Sequence, residues 1–174
     1  MCVLTQLSES LNKKQKRGFL FAFGLIALIS LVEVVTLKVD CLPKKFRWIN
    51  IVSNYLGFGL TPSVCICLVY VLDKKTKLRW EFKLAILWEI VYLLILALSI
   101  PSGLVFSVSQ ENIYSRGPYF FIYIFAYFIS ILYLSLSTIF VSKQFQNRSE
   151  ALIYPLMIFL VAETIIQILV QIFM

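Results

Sequence analysis

The amino-acid sequence predicts an all-α fold: a polytopic membrane helix bundle of about five transmembrane helices. Hydrophobic residues make up 60% of the 174 residues and charged residues 14%, whereas soluble domains average about 45–50% and about 25%. The apolar residues form continuous runs, each near the length of about 20 residues that a helix needs to cross a bilayer. Because these runs do not alternate between polar and apolar side chains, the sequence disfavours a membrane barrel.

The chain divides into a polar tail and the predicted bundle, and no stretch is long and polar enough for a separate soluble domain. Residues 1–17 form the tail, which ends in a basic cluster, and residues 18–174 form the bundle. The first apolar run exceeds the core of a signal peptide, about 7–15 residues, so it is interpreted as a membrane helix. The predicted spans cover residues 18–37, 48–72, 84–108, 118–141 and 151–173.

Glycines and prolines predict irregular backbone in two spans and in one connection. Gly57, Gly59 and Pro62 predict a kinked or loosened middle of the second span, with the glycines packed closely against a neighbouring helix. Pro101-Ser102-Gly103 predicts a bend near the far end of the third span. The polar stretch 109–117 connects the third and fourth spans, and the following proline suits the first position of the next helix.

The distribution of lysine and arginine predicts a cytoplasmic N-terminus. In that orientation eleven of the sixteen basic residues lie on the cytoplasmic side, in line with the positive-inside rule. The stretch 109–117 then lies outside the membrane. The first outer loop carries four bases, Lys38, Lys44, Lys45 and Arg47, which argues against this count.

Composition and motifs argue against nucleic-acid binding, metals, cofactors and catalysis. The net charge is +7, but the bases cluster beside apolar runs, where lipid headgroups lie. The chain has no His, and Cys65 and Cys67 would face different directions on a helix. There is no phosphate-binding loop, nucleophile elbow or metal-spaced cluster. We therefore predict no metal, no cofactor and no enzymatic activity within this chain.

Acids inside the predicted spans are candidate functional residues, because a charge within a bilayer is costly. Glu33 and Glu163 qualify, while Glu89 is expected about one turn from the cytoplasmic end, within reach of the interface. Asn54 is a possible hydrogen-bond partner of Glu33. Glu163 and Gln167 share a stripe of the fifth span, where they form either a polar seam between helices or a ligand or proton site.

The connection between the third and fourth spans supplies further candidates. Glu111, Asn112, Tyr114 and Arg116 form either an ordinary solvated loop or an outer lid over the bundle. Tyr123 belongs to a row of tyrosines on one face of the fourth span, which either packs in the bundle or lines a cleft.

Several short motifs occur together in one order along the chain. They are Asn54-Tyr55-Leu56-Gly57-Phe58 with Pro62, Asp73-Lys74-Lys75, Ile100-Pro101-Ser102-Gly103-Leu104-Val105-Phe106, and Asn112-Ile113-Tyr114-Ser115-Arg116-Gly117-Pro118. Together they resemble the multi-helix N-terminal membrane region that precedes the GGDEF domain in many diguanylate-cyclase-like signalling proteins of Gram-positive bacteria. The resemblance covers residues 18–174, and the N-x-Y-x-R-G-P stretch is its most specific part.

The resemblance implies a sensory input domain of the bacterial cytoplasmic membrane that passes a signal to a cytoplasmic cyclase. The last helix and the GGDEF domain of that family are missing from the sequence, so a truncated, non-catalytic input region is expected. Its expected partners are the lipid bilayer, a second copy of the chain or a separate output protein, and a small-molecule ligand. The alternatives are a small proton-coupled transporter or permease subunit, and a membrane scaffold protein.

Overall fold

A computed structural model describes residues 13–72 and 80–142. This part of the chain contains four long helices, a short 3-10 helix and two short strands. The helices are α1 (Lys13–Val39), α2 (Arg47–Leu72), α3 (Trp80–Ser99) and α4 (Phe121–Ser142), the 3-10 helix is Lys44–Phe46, and the strands are β1 (Phe106–Val108) and β2 (Tyr114–Arg116). The predicted fifth span, with Glu163 and Gln167, lies outside the described residues.

Each of the four long helices is long and apolar enough to cross a membrane. Large apolar side chains face outward along them: Leu37 is 81% exposed and Leu98 75%. Polar side chains, by contrast, are buried between the helices, among them Asn50, Asn54 and Glu89. This arrangement suits a bilayer, where lipid solvates the apolar surface and polar groups face the bundle interior. The predicted helical character is confirmed for this part of the chain, and by length and composition each of the four long helices could cross a membrane.

The segment after α3 is a short hairpin and not the end of the predicted third span. The sequence predicts a helix through residue 108, but α3 ends at Ser99 and a turn follows. β1 and β2 then pair antiparallel, with Phe106 opposite Arg116 and Val108 opposite Tyr114. Pro101 cannot donate to a helical hydrogen bond, and Gly103 adopts a φ of 64°, so the helix ends and the chain enters a hairpin instead of a bend.

The hairpin also delays the start of α4. The sequence predicts a helix from Pro118, whereas α4 begins at Phe121 after a turn. The backbone N–H of Tyr119 donates to the carbonyl oxygen of Leu104 at 2.8 Å, and that of Gly117 donates to Val105 at 2.9 Å. These two hydrogen bonds continue the hairpin as far as Tyr119, which the sequence assigned to the first helical turn.

The interior of α2 shows how the bundle accommodates a proline. α2 runs as one helix from Arg47 to Leu72 with Pro62 inside it, so the carbonyl of Phe58 loses its intrahelical donor. The hydroxyl of Tyr92, on α3, donates to that carbonyl oxygen at 3.0 Å. Tyr92 thereby replaces the donor that Pro62 lacks. Gly59 permits this approach of α3, because a Cβ there would lie 2.8 Å from Leu93 Cδ2.

Among the described residues, the larger of two buried clusters lies at the end of the bundle that holds the hairpin, here called the hairpin end. It joins Tyr92 and Leu96 of α3 to Phe106 of β1 and Tyr123 of α4. The ring of Phe58 packs on it, with centroid distances of 5.6 Å to Phe106 and 4.8 Å to Tyr123. The hairpin is thus part of the core and not a loop lying over it.

Candidate functional site

Asn112, at the turn of the hairpin, attaches the hairpin to the loop between α1 and α2. It is fully buried and adopts a φ of 65°, a region that Asn tolerates better than most residues. Its Nδ2 donates to the carbonyl oxygens of Val39 at 2.7 Å and Leu42 at 3.0 Å. The N–H of Cys41 donates back to the Asn112 carbonyl at 3.1 Å. The hairpin turn therefore caps the end of α1.

Asn50 of α2 extends this attachment into the bundle. Its Nδ2 donates to Oδ1 of Asn112 at 3.0 Å and to Oδ1 of Asp40 at 3.1 Å. The same Asp40 oxygen accepts the backbone N–H of Tyr114 at 2.9 Å. Asn54, one turn further along α2, donates to Oδ1 of Asn50 at 2.7 Å. We call Asp40, Asn50, Asn54 and Asn112 the asparagine network; because its groups are paired, it fixes one arrangement of the hairpin.

Arg47, the first residue of α2, holds the far side of the turn. Its Nε donates to the carbonyl oxygen of Ser109 at 2.9 Å, and its Nη2 donates to that of Val108 at 3.1 Å. Lys44 donates to the side-chain oxygen of Gln110 at 3.3 Å. Two of the bases that argue against the predicted orientation are therefore engaged with the hairpin.

A cavity of about 340 Å³ lies at the hairpin end, between α1, α2, the hairpin and the start of α4. We call it the hairpin cavity. Its polar and charged lining comes from the end of α1, the middle of α2 and strand β2, and its aromatic lining from α2, β2 and α4. The lining residues are Glu33, Thr36, Leu37, Asp40, Ser53, Asn54, Gly57, Phe58, Thr61, Tyr114, Arg116, Phe120 and Tyr123.

The cavity brings together five of the residues singled out from the sequence: Glu33, Asn54, Tyr114, Arg116 and Tyr123. Two others lie elsewhere at the same end. The side chain of Glu111 is exposed at the hairpin turn, and Asn112 belongs to the asparagine network. The hairpin therefore borders the cavity through β2, while its turn faces the α1–α2 loop. The candidates Glu163 and Gln167 lie outside the described residues.

Tyr114 and Arg116 form the hairpin's side of the cavity. The guanidinium carbon of Arg116 lies 5.1 Å from the centroid of the Phe120 ring, within the range of a cation–π contact. Burial raises the pKa of the Tyr114 hydroxyl to about 12, although the nearby Arg116 charge acts to lower it. Tyr114 is therefore neutral and Arg116 cationic at physiological pH.

Sequence reasoning missed Asp40, Asn50 and Arg47, which hold the hairpin. Asn50 carried a usable signal, since it lies one helical turn before Asn54 in a predicted span, where buried amides need partners. Asp40 and Arg47 had none, because charges beside a membrane span are ordinary. Their role depends on contacts with residues more than sixty positions away along the chain.

Glu89 lies in a different place from the one predicted. The sequence put it about one turn from the end of its span, but α3 begins at Trp80, so Glu89 is in the middle of the helix. Its side chain is 7% exposed. Oε1 accepts a hydrogen bond from the Ser63 hydroxyl at 2.5 Å, and Oε2 has no hydrogen-bond partner among the described residues. Glu89 therefore packs between α3 and α2, inside the bundle.

A second cavity of about 410 Å³ lies between α2, α3 and α4, toward the opposite end of the bundle. Its lining is mainly apolar and aromatic and includes Trp80, Leu84, Trp88 and Tyr133. It offers few polar groups to orient a ligand, so the hairpin cavity is the better candidate for a specific site.

Metal binding finds no support in the residues that the structure describes, because no group of three or more His, Cys, Asp or Glu side chains is placed to hold an ion. Comparison of the sequence and structure with family models, curated proteins and solved structures finds no match.

Proposed function

We propose that this chain is an integral membrane sensory domain, a signal-input module without catalytic activity of its own. The hairpin cavity carries the proposal. It is of the size of small-molecule sites, about 300–1,000 Å³, and it combines charged, amide and aromatic groups. Its walls come from α1, α2, the hairpin and α4, so an occupant would contact four elements at once.

The asparagine network gives a ligand a way to act on helix packing. Asp40 and Asn54 belong both to the cavity lining and to the network that joins α1, α2 and the hairpin. A ligand that prefers one arrangement of these groups shifts the bundle toward that arrangement by its difference in affinity between the two states. The resulting change in packing is the signal that this proposal assigns to the domain.

The proposed setting is the cytoplasmic membrane of a bacterium, with the N-terminus inside, five spans and the hairpin cavity facing outward. The excess of basic residues on one side supports this orientation. The output partner is a cytoplasmic GGDEF domain, fused to the chain or separate from it, as the sequence resemblance implies. Self-association of the bundle would be a route to such an output.

A fusion of the full chain to a GGDEF domain tests the function. Cyclic di-GMP is measured in cells that carry the fusion, with Glu33→Gln or Arg116→Gln as cavity variants and Glu111→Gln as the matched control. Both cavity variants should shift the output at least threefold, in either direction, while the control leaves it unchanged. If membrane levels are equal and neither cavity variant changes the output, the chain is not a sensor that uses this cavity.

Glu89 favours a second candidate function, a small proton-coupled transporter. A buried carboxyl in the middle of a span, paired with Ser63 on the neighbouring helix, is the kind of group that carries protons in such proteins. Uptake of a panel of labelled amino acids and amines into proteoliposomes under a pH gradient tests this candidate. Uptake that Glu89→Gln abolishes and Glu111→Gln preserves would establish the transporter in place of the sensor.

A further inference from the structure

The serine and threonine hydroxyl groups that line the hairpin cavity have already used their protons. Thr36 donates to the carbonyl oxygen of Val32 at 2.9 Å, and Thr61 donates to that of Gly57 at 2.6 Å. Ser53 likewise donates to a backbone oxygen of its own helix at 3.1 Å. A hydroxyl has one proton and two lone pairs, so each of these groups presents only hydrogen-bond acceptors to an occupant.

The side-chain amide of Asn54 also presents a hydrogen-bond acceptor to the cavity. Its Nδ2 donates to the carbonyl oxygen of Asn50 at 2.9 Å and to the Asn50 side-chain oxygen at 2.7 Å. Asn54 is 5% exposed and lines the cavity. With its nitrogen directed at Asn50, the group that Asn54 offers an occupant is its acceptor oxygen, Oδ1.

Two carboxylates border the cavity near the end of α1. Glu33 lies within α1, and Asp40 directly follows its last residue, where the Asp40 N–H still donates to the carbonyl oxygen of Thr36 at 3.1 Å. Both line the cavity, as do Thr36 and Leu37 between them. A carboxylate is an acceptor only. The acceptors of Glu33 and Asn54 are therefore gathered on the α1 and α2 side, whereas Oδ1 of Asp40 already accepts from Asn50 and Tyr114.

The lining contains two carboxylates and one guanidinium, so the net charge of the lining residues is negative. Arg116 lies on the hairpin side, where its guanidinium packs on the Phe120 ring and hydrogen-bonds Tyr114. Its donors are thus partly engaged by the protein. The remaining lining is aromatic, and the rings of Phe58 and Tyr123 lie 4.8 Å apart, which suits an apolar body or the face of a cation.

We propose that the hairpin cavity binds a small organic amine, a cation with N–H donors and an apolar body. The ammonium group donates to the carboxylate of Glu33 and to Oδ1 of Asn54, and the apolar body packs against Phe58 and Tyr123. An acceptor-rich, net negative lining complements this class of ligand and disfavours carboxylates. The inference rests on the proposed function, because it names the ligand class of the same sensory site.

Calorimetric titration of the full chain in nanodiscs of phosphatidylcholine tests the ligand class. The probes share one apolar body and differ in charge: phenethylamine, the neutral 2-phenylethanol, the anion phenylacetate and the zwitterion phenylalanine. Phenethylamine should bind at least about tenfold more tightly than each of the others, since a charge-assisted hydrogen bond is worth about 1.5–3 kcal/mol. Empty nanodiscs correct for partition into lipid.

Three variants locate the binding. Glu33→Gln should lower the affinity for phenethylamine at least about tenfold and change the affinity for 2-phenylethanol less than twofold, because only the charge-assisted contact is lost. Arg116→Gln should raise the affinity for phenethylamine about threefold, because it removes a positive charge that repels the ammonium group. Glu111→Gln, which removes an exposed acid outside the cavity lining, should leave both unchanged.

The two cavity variants should change the affinity for phenethylamine in opposite directions. If one of them misfolds, the other still tests the proposal. Tighter binding of phenylacetate or phenylalanine than of phenethylamine would overturn the proposal. The same holds if phenethylamine affinity is unaffected by Glu33→Gln in the folded protein, or unaffected or weakened by Arg116→Gln.

Binding and signalling output separate the ligand class from the sensory function. If the amine binds with this selectivity but does not change cyclic di-GMP output in the GGDEF fusion, the site stands and the sensory function fails. If the fusion responds to cavity variants but no amine binds, the sensory function stands and the ligand class fails.

Discussion

At the scale of single residues, the buried side chain of Asn112 makes three hydrogen bonds that a substitution can remove. Replacing it with Ala removes two hydrogen bonds to the carbonyls of Val39 and Leu42 and one from Asn50. It also places a residue with a Cβ and no polar group at a φ of 65°. Each hydrogen bond contributes about 0.5–1.5 kcal/mol. We expect Asn112→Ala to lower the free energy of unfolding in mixed micelles by about 2–4 kcal/mol.

Two further variants separate the causes of that loss. Asn112→Gly also deletes the side chain but accepts the positive φ, so it should be about 1 kcal/mol less destabilising than the Ala variant. Glu111→Ala, at the neighbouring exposed position, should have little effect. Equal stability of Asn112→Ala and the wild type would show that the buried network does not hold the hairpin.

Tyr92 and Pro62 form a pair whose roles a double-mutant cycle can test. Tyr92→Phe leaves the Phe58 carbonyl without the hydroxyl that now bonds it, at an expected cost of about 1 kcal/mol in a membrane protein. Pro62→Ala restores a backbone N–H that can bond the same carbonyl. In that background Tyr92→Phe should cost close to nothing. The same cost in both backgrounds would mean that the hydroxyl does not replace the missing donor.

At the scale of elements, the hairpin depends on close backbone approach at Gly117. A Cβ at this position would overlap the carbonyl oxygens of Leu104 and Gly103, which are backbone atoms and cannot move aside alone. Gly117→Ala should therefore displace the hairpin and lower the midpoint of thermal unfolding in micelles by several degrees.

Gly24 provides the matched control for this substitution. It lies within α1, and a Cβ there would meet nothing within 4 Å. Gly24→Ala should leave the unfolding midpoint unchanged or raise it slightly, because Ala favours a helix over Gly. If Gly117→Ala lowered the unfolding midpoint no more than Gly24→Ala, the backbone of the hairpin would not approach Gly117 as closely as described.

At the scale of the whole molecule, Cys41 reports the orientation of the bundle. Its side chain is exposed in the loop at the hairpin end, whereas within α2 Cys65 is buried and Cys67 is half-buried. In a Cys2→Ser background, a membrane-impermeant maleimide should label Cys41 in intact cells if the N-terminus is cytoplasmic. Cys41→Ser should abolish the label. Labelling only after permeabilisation would reverse the proposed orientation.

Sequence reasoning recovered part of the site because polar residues are conspicuous in a membrane helix. Glu33 and Asn54 were singled out for that reason, and both line the hairpin cavity. Glu89 was noticed but misplaced, because the start of a helix beside a basic loop cannot be read to within a turn. Asp40 and Arg47 escaped notice because nothing local distinguishes a structural charge from a solvated one.

The sequence by itself determined the helical membrane class of the described part, because long apolar runs in lipid leave the backbone no partner but its own helix. The tertiary structure alone decided the conformation of the chain after α3. The segment 100–108 carries no charged residue, and the sequence predicts that the helix before it continues through this segment with a bend. Its hairpin is stabilised by distant groups, Asp40, Arg47 and Asn50. Contacts between residues so far apart in the chain leave no local signature, so the hairpin and the cavity beside it could not be predicted from the sequence.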